Sequence, residues 1–339
     1  KEGKGSNRWC CTRCTFFQRA SIFGIITSAA CSFEQVAEGS VTLDEFVAQL
    51  SDDELAHLLG GQPNTGVANT FGFGNLPECG IPNFMTADGP AGLRILPECG
   101  VCTTAWPCAT LLACTWNPEI VYEVGAVGAK EVKENNIAVW LTPAINIHRT
   151  PMCGRNFEYY SEDPLISGIM AAGMTEGVQE TVGVGTTIKH FACNNQEDNR
   201  FGSDSIISER ALREIYLQGF EICVKEAQPM AIMTSYNLIN EVHAANSYDL
   251  CTKIARDEWG FKGLIMTDWG TTNEMPEGYA KCSRPEICIQ AGNDLICPGV
   301  VSDHEQIRVA LKNGTLKESE LRRSVARLIA IILKSNAYK

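Results

Sequence analysis

One short stretch constrains this chain more than any other: Gly263-Leu264-Ile265-Met266-Thr267-Asp268-Trp269-Gly270. Leu264, Ile265 and Met266 form an apolar run bounded by turn signals, with Gly260-Phe261-Lys262-Gly263 before it and Gly270 after it. A continuous apolar run of this length reads as a buried parallel strand, covered on both faces. It ends in Asp268 and Trp269. The carboxyl end of such a strand is where α/β folds expose catalytic groups, and an indole beside the carboxylate offers a flat face to a sugar ring or a cation. The plainer alternative is that Asp268 only caps the segment that follows, so the neighbouring stretches have to decide.

They repeat the pattern. Asn83 to Thr86 reads as a strand ending in Ala87-Asp88-Gly89-Pro90, with Arg94 four residues past the Gly-Pro turn. Further strands are expected over 137–141, 187–192, 231–236, 263–268 and 294–297. Between them lie helices, over 117–134, after Asp163-Pro164, and over 208–227, 247–259, 283–291, 302–312 and 318–335. Thr42-Leu43-Asp44-Glu45 and Ser51-Asp52-Asp53-Glu54 are capping boxes that open two short helices, and Asn117-Pro118 is a cap followed by proline at the first helical position. Six or seven strands alternating with helices predict parallel βαβ units. Polar groups end nearly every strand, so the expected fold class is α/β, a (β/α)8 TIM-like barrel, closed or irregular, rather than an open sheet.

Composition narrows the partners. A net charge of −12 argues against nucleic acid and an anionic membrane, both of which want a basic face, and suits a neutral ligand that needs no steering. No stretch reaches the roughly 20 apolar residues of a membrane helix. Of the sixteen cysteines, most stand singly in apolar surroundings (Cys108, Cys114, Cys223, Cys288, Cys297), where cysteine acts as a small hydrophobe. That favours a reducing, cytoplasmic setting, with secretion as the alternative. Residues 1–33 differ from the rest: basic, cysteine-rich at Cys10-Cys11-Thr12-Arg13-Cys14, then apolar around Ile22 to Ile26. They read as an atypical leader or the remnant of a longer chain, and 34–339 as the barrel. The cysteine cluster lacks the second pair a zinc knuckle needs, so no metal is expected.

In a parallel barrel the strand ends share one rim. Here that rim gathers Asp88, Arg94, Arg155, Lys189 with His190, Arg200, Tyr236, and Asp268 with Trp269. Carboxylates and cations bind hydroxyls through charge-assisted hydrogen bonds, and an aromatic ring covers the apolar side of a sugar, so a polyhydroxyl ligand is the expectation. Lys189-His190 is the odd pair. Neighbours on a strand point to opposite faces, and both reach a ligand only if the backbone is irregular there.

These segments resemble the catalytic barrel domain of glycoside hydrolase family 3, the β-glucosidase family. The resemblance rests on Asp88-Gly89-Pro90 with Gly92-Leu93-Arg94, Gly154 to Glu158 leading to Ser161-Glu162-Asp163-Pro164, Lys189-His190-Phe191 with Asn195-Gln196-Glu197 and Arg200, Met233 to Asn237, and Trp259 through Gly270. It implies that Asp268 is the nucleophile and Tyr236 the residue that positions it. It implies also that Asp88, Arg94, Arg155, Lys189 and His190 hold the sugar's hydroxyls, with Arg200, Met233 and Trp269 lining the pocket. The implied activity is retaining hydrolysis of terminal β-D-glucosides. No cofactor is expected, because two carboxyl groups carry such a reaction.

One carboxyl group is missing from this reading. The family's β-glucosidases usually place the acid/base glutamate on a second α/β domain, so the acid/base is expected from outside this chain or replaced by a weaker route, and a missing second domain or a homo-oligomer is the partner expected. The family's single-domain hexosaminidases use a His-Asp pair after the Lys-His strand, whereas Cys193 to Asp198 contains no histidine. Glu158, Glu162 and Glu197 are the local candidates. Three alternatives therefore stand beside a β-glucosidase: a sugar-binding barrel without chemistry, a β-xylosidase or other exo-glycosidase of the same family, and an unrelated barrel enzyme acting on another polar metabolite.

Overall fold

The computed structural model describes residues 31–272 and 283–335. The leader expected over 1–33, with its cysteine cluster, lies through Ala30 outside the described residues. Ser32 caps a helix over Phe33–Ala37, and Phe33 is fully buried.

The strands are β1 (Gly72–Leu76), β2 (Ile81–Ala87), β3 (Ile137–Trp140), β4 (Gly185–Phe191), β5 (Asp204–Ser205), β6 (Ala231–Thr234), β7 (Leu238–Ile239), β8 (Val242–His243) and β9 (Leu264–Met266). The main sheet has the order β1-β2-β3-β4-β6-β9. From β2 onward every pair is parallel, as the alternation with helices requires. Isolated bridges then join the two ends of the sheet. Leu295 pairs in parallel with Met266, Ile296 in parallel with Gly60, and Gln62 antiparallel with Gly72. Gln62 and Gly72 exchange both backbone hydrogen bonds at 2.7 Å. The ring is thus a closed but irregular α/β barrel of eight segments, with β1 reversed against both its neighbours. Strands β5, β7 and β8 form a separate small sheet.

Two strand expectations need correction. Segment 294–297 contributes single bridges, not a full strand, because Asp294 turns its carboxylate to the Ile265 N–H at 3.0 Å, which displaces a ladder carbonyl. In the other direction, β1 was not expected. Its sequence, Gly-Phe-Gly-Asn-Leu, has two glycines and an asparagine in five positions and carries no strand signal.

The helices follow their caps. Asn117 accepts from the Glu119 N–H at 2.9 Å and opens Pro118–Glu134; Asp163 accepts from the N–H groups of Leu165 and Ile166 and opens Pro164–Glu180. The helix expected over 208–227 is broken into Glu209–Ala211, a wide π turn over Leu212–Tyr216, and Gln218–Ala227. Strand alternation divides the core. Ile232 and Ile265 pack outward with Phe220, Val224, Ile254 and Trp259 from the helical layer. Ala231, Met233, Leu264 and Met266 belong to a second cluster with Val139 of β3 and Leu295, as period-two side chains in a barrel must. Among the described residues no helix is long and apolar enough to cross a membrane.

Candidate active site

Asp88 follows β2 directly, and the turn after it is built around two glycines. Gly89 has φ +119° and Gly92 φ +137°. A β-carbon on Gly89 would lie 1.8 Å from the Gly92 carbonyl oxygen, so only glycine fits. The Arg94 N–H donates to the Asp88 carbonyl at 2.9 Å, which brings the Arg94 guanidinium to the Asp88 carboxylate at 3.2 Å. From β4, Lys189 Nζ reaches the other Asp88 oxygen at 2.6 Å. Burial by itself would raise the Asp88 pKa, but the Lys189 charge and hydrogen bond, with Arg94, overcome it and bring it down to about 2.

Lys189 and His190 both line the same cavity. The backbone is irregular at this point: the Lys189–His190 bond is cis, and the register to β6 shifts between Ile188 and Phe191. Asn146 grips the His190 backbone from both sides, accepting from its N–H at 2.8 Å and donating to its carbonyl at 2.9 Å. Burial, followed by the charges of Arg155, Lys189 and Arg200, holds the His190 pKa well below its ordinary value, which favours the neutral ring.

Asp268 leaves β9 with the Thr267 N–H bonded to the Leu295 carbonyl at 3.0 Å. Its Oδ1 accepts from the Trp269 N–H at 2.7 Å. Its Oδ2 has no hydrogen-bond partner among the described residues and stands 3.8 Å from His190 Nε2. Burial raises the Asp268 pKa above the ordinary carboxylate value; the Arg155 charge, the Trp269 N–H and Lys189 oppose that rise. Tyr236, expected to position this carboxylate, lies against it: burial and then the Asp268 charge raise the Tyr236 pKa above its ordinary value, and its hydroxyl also donates to the Trp269 carbonyl at 2.6 Å.

Two loops complete the rim. After β3, Arg155 pairs with the buried Glu158 and lies 3.9 Å from Glu197. After β4, Arg200 donates to Glu197 at 2.7 Å and stacks over the Tyr236 ring, 4.6 Å from its centroid. All ten residues singled out from the sequence (Asp88, Arg94, Arg155, Lys189, His190, Arg200, Met233, Tyr236, Asp268 and Trp269) line one cavity of about 400 Å³. Asn69, Thr70, Phe71, Leu141 and Phe157 line it too, and the sequence alone does not point to them. Because β1 runs backwards, its start lies at the rim where other strands end, and a search of strand ends passes over 69–71.

The chain matches the family model "Glycosyl hydrolase family 3 N terminal domain" over residues 75–331. It belongs to glycosyl hydrolase family 3. It is 62% identical over 237 residues to β-glucosidase A of Butyrivibrio fibrisolvens, a match covering 70% of this chain and 28% of that protein. It is 40% identical over 317 residues to a β-glucosidase of Ruminococcus albus, covering 90% of this chain and 33% of that one. The structure of β-glucosidase 3B from Thermotoga neapolitana in complex with α-D-glucose superposes with a TM-score of 0.80 at 41% identity, covering 88% of this chain and 43% of that chain. This family 3 barrel thus spans about a third of the length of the curated relatives it matches.

Proposed function

We propose that this barrel hydrolyses terminal β-D-glucosides with retention of configuration, through a covalent glycosyl-enzyme on Asp268. The observation that carries the proposal is the Asp268 carboxylate itself. One oxygen is tied to its own backbone; the other faces a polar cavity with no partner among the described residues. A nucleophile needs one oxygen fixed and one free. Around it, Asp88, Lys189, Arg94 and Arg155 supply the acceptor and donors that a sugar's hydroxyls require, and Trp269 supplies an apolar face. That the relatives are named β-glucosidases supports the same substrate class.

In the first step Asp268 attacks the anomeric carbon, the bond to the leaving oxygen breaks, and the leaving group takes a proton from a general acid. In the second, water attacks the same carbon and Asp268 leaves. Among the described residues the two nearby glutamates are already engaged, Glu158 with Arg155 and Glu197 with Arg200 and Asn194. We therefore assign the acid/base to a group outside the described residues, and we take 34–339 as the barrel domain. We place the protein in the cytoplasm on its buried single cysteines Cys223, Cys251, Cys288 and Cys297.

The test is intact mass and peptide mapping after incubation with a 2-deoxy-2-fluoro 2,4-dinitrophenyl β-glucoside. The good leaving group needs little acid help, and the fluorine slows the second step. A glycosyl adduct on the Asp268 peptide, absent from Asp268→Ala, is the expected result. No adduct, with glucose binding still measurable, refutes hydrolysis by this chain and leaves a sugar-binding barrel.

A further inference from the structure

Neutral imidazole has one N–H, and which nitrogen carries it decides whether the ring gives or receives a hydrogen bond at its other end. At His190 the neighbours answer this through a chain of contacts that starts four groups away. Arg200 can only donate, and it donates to Glu197 Oε2 at 2.7 Å. Glu197 Oε1 then accepts from Asn194 Nδ2 at 3.1 Å, which fixes the orientation of that amide. The flipped amide would turn its carbonyl oxygen toward the carboxylate. The observed one leaves Asn194 Oδ1 without a partner but avoids that repulsion. The second hydrogen on Asn194 Nδ2 goes to Tyr159 Oη at 3.1 Å, so the Tyr159 oxygen accepts. Tyr159 is fully buried, and burial raises its pKa well above the ordinary value, so it keeps its proton. Among the described residues the group left to receive that proton is His190 Nδ1, at 3.3 Å.

We propose that Tyr159 is a positioning residue which, held by Asn194, fixes His190 as the tautomer with hydrogen on Nε2. The far side of the ring gives the same answer. Nε2 lies 3.8 Å from Asp268 Oδ2, and a hydrogen there faces the carboxylate, whereas a lone pair there would oppose the carboxylate's own lone pairs. His190 is therefore a donor to the cavity at all times. It steadies the free oxygen of Asp268 in the empty site and, once that oxygen is turned to a sugar, donates to a hydroxyl oxygen of the ligand. Asn146 fixes the backbone on which the ring turns, so the hydrogen's direction is set as well as its place. This assignment deepens the proposed glycosidase reading and rests on it for its catalytic meaning, but not for the tautomer.

The experiment is long-range 1H–15N NMR of the full chain labelled with 15N-histidine. The chain has five histidines, and His190→Asn assigns the signal. The expected wild-type spectrum at pH 7 shows His190 neutral, with Nε2 protonated and Nδ1 bare. Protonated Nδ1, or an imidazolium, overturns the proposal without need of any variant. In Tyr159→Phe, Nδ1 loses its donor. A mixture of tautomers is then expected, together with a fall in kcat/KM for a 4-nitrophenyl β-glucoside of about five-fold or more, the scale of one neutral hydrogen bond. An unchanged tautomer and unchanged kcat/KM in that variant also overturn it. Should the tautomer follow Tyr159 while the fluorinated glucoside labels nothing, the glycosidase reading fails and the assignment of His190 stands.

Discussion

Asp88 is the group whose environment is most directly convertible into a stability. It sits between a lysine that is only 3% exposed and a half-exposed arginine, and its pKa falls from 3.8 to about 2. A depressed carboxylate pKa stabilises the fold above the unfolded value and loses that contribution as pH falls through the folded value. At about 1.4 kcal/mol per pKa unit the full contribution is about 2 kcal/mol at neutral pH, and about half of it remains at pH 3. Asp88→Asn removes the charge and leaves the Lys189 ammonium buried without its partner, which adds to the cost. We expect the variant to unfold at lower urea than the wild type, by about 2 to 4 kcal/mol at pH 7, with the gap narrowing between pH 5 and pH 3. Urea transitions followed by tryptophan fluorescence at four pH values measure both. A gap that is absent at pH 7, or the same at pH 3, would refute the argument, because the first denies the pairing and the second denies that ionisation of Asp88 carries it.

Two further substitutions probe other parts of the rim. Arg155 is the principal charge opposing the raised pKa of Asp268. Arg155→Met should move the acid limb of kcat/KM to higher pH, since Asp268 must be ionised to attack. A limb that stays put, or moves down, would show that some other group governs it. Gly89→Ala forces a β-carbon against the Gly92 carbonyl at a φ that only glycine adopts freely. A loss of about 2 kcal/mol or more is expected, with weaker glucose binding, in thermal unfolding and calorimetry; wild-type Tm would mean the turn relaxes without cost.

The parts of the site that carry charge at the end of a parallel strand are legible in the amino-acid sequence. Asp88, Lys189 and Asp268 are expensive to bury, and their places after or within apolar runs leave them one sensible location. Lys189-His190 also announces an irregular backbone, since both are polar and adjacent. What the sequence hides is of two kinds. Asn69, Thr70 and Phe71 come before a strand, and only the reversal of β1 puts them at the rim; nothing in Gly-Phe-Gly-Asn-Leu declares that direction. Asn146, Tyr159 and Asn194 are uncharged residues in loops, and their importance arises from pairings across the loops after β3 and β4. The hydroxyl of Tyr236 illustrates a finer limit. Its place in the cavity beside Asp268 follows from its place after a strand, but its hydrogen bond to the Trp269 carbonyl is one that sequence does not show.

The seam that closes the barrel imposes an order on biosynthesis. Leu295 and Ile296 bridge Met266 on one side and Gly60 on the other, and the peptide entering Asp268 is anchored to Leu295. A nascent chain still threaded through the ribosome at that point has most of its helices and strands available but no closed ring. Its free edges at β9 and at residues 60–62 are exposed strand templates, and the carboxylate at 268 is not yet held in place. Capture of the seam is a contact across more than two hundred residues, the kind that is slow to form. The same few backbone bonds close the ring and hold the peptide that leads into Asp268.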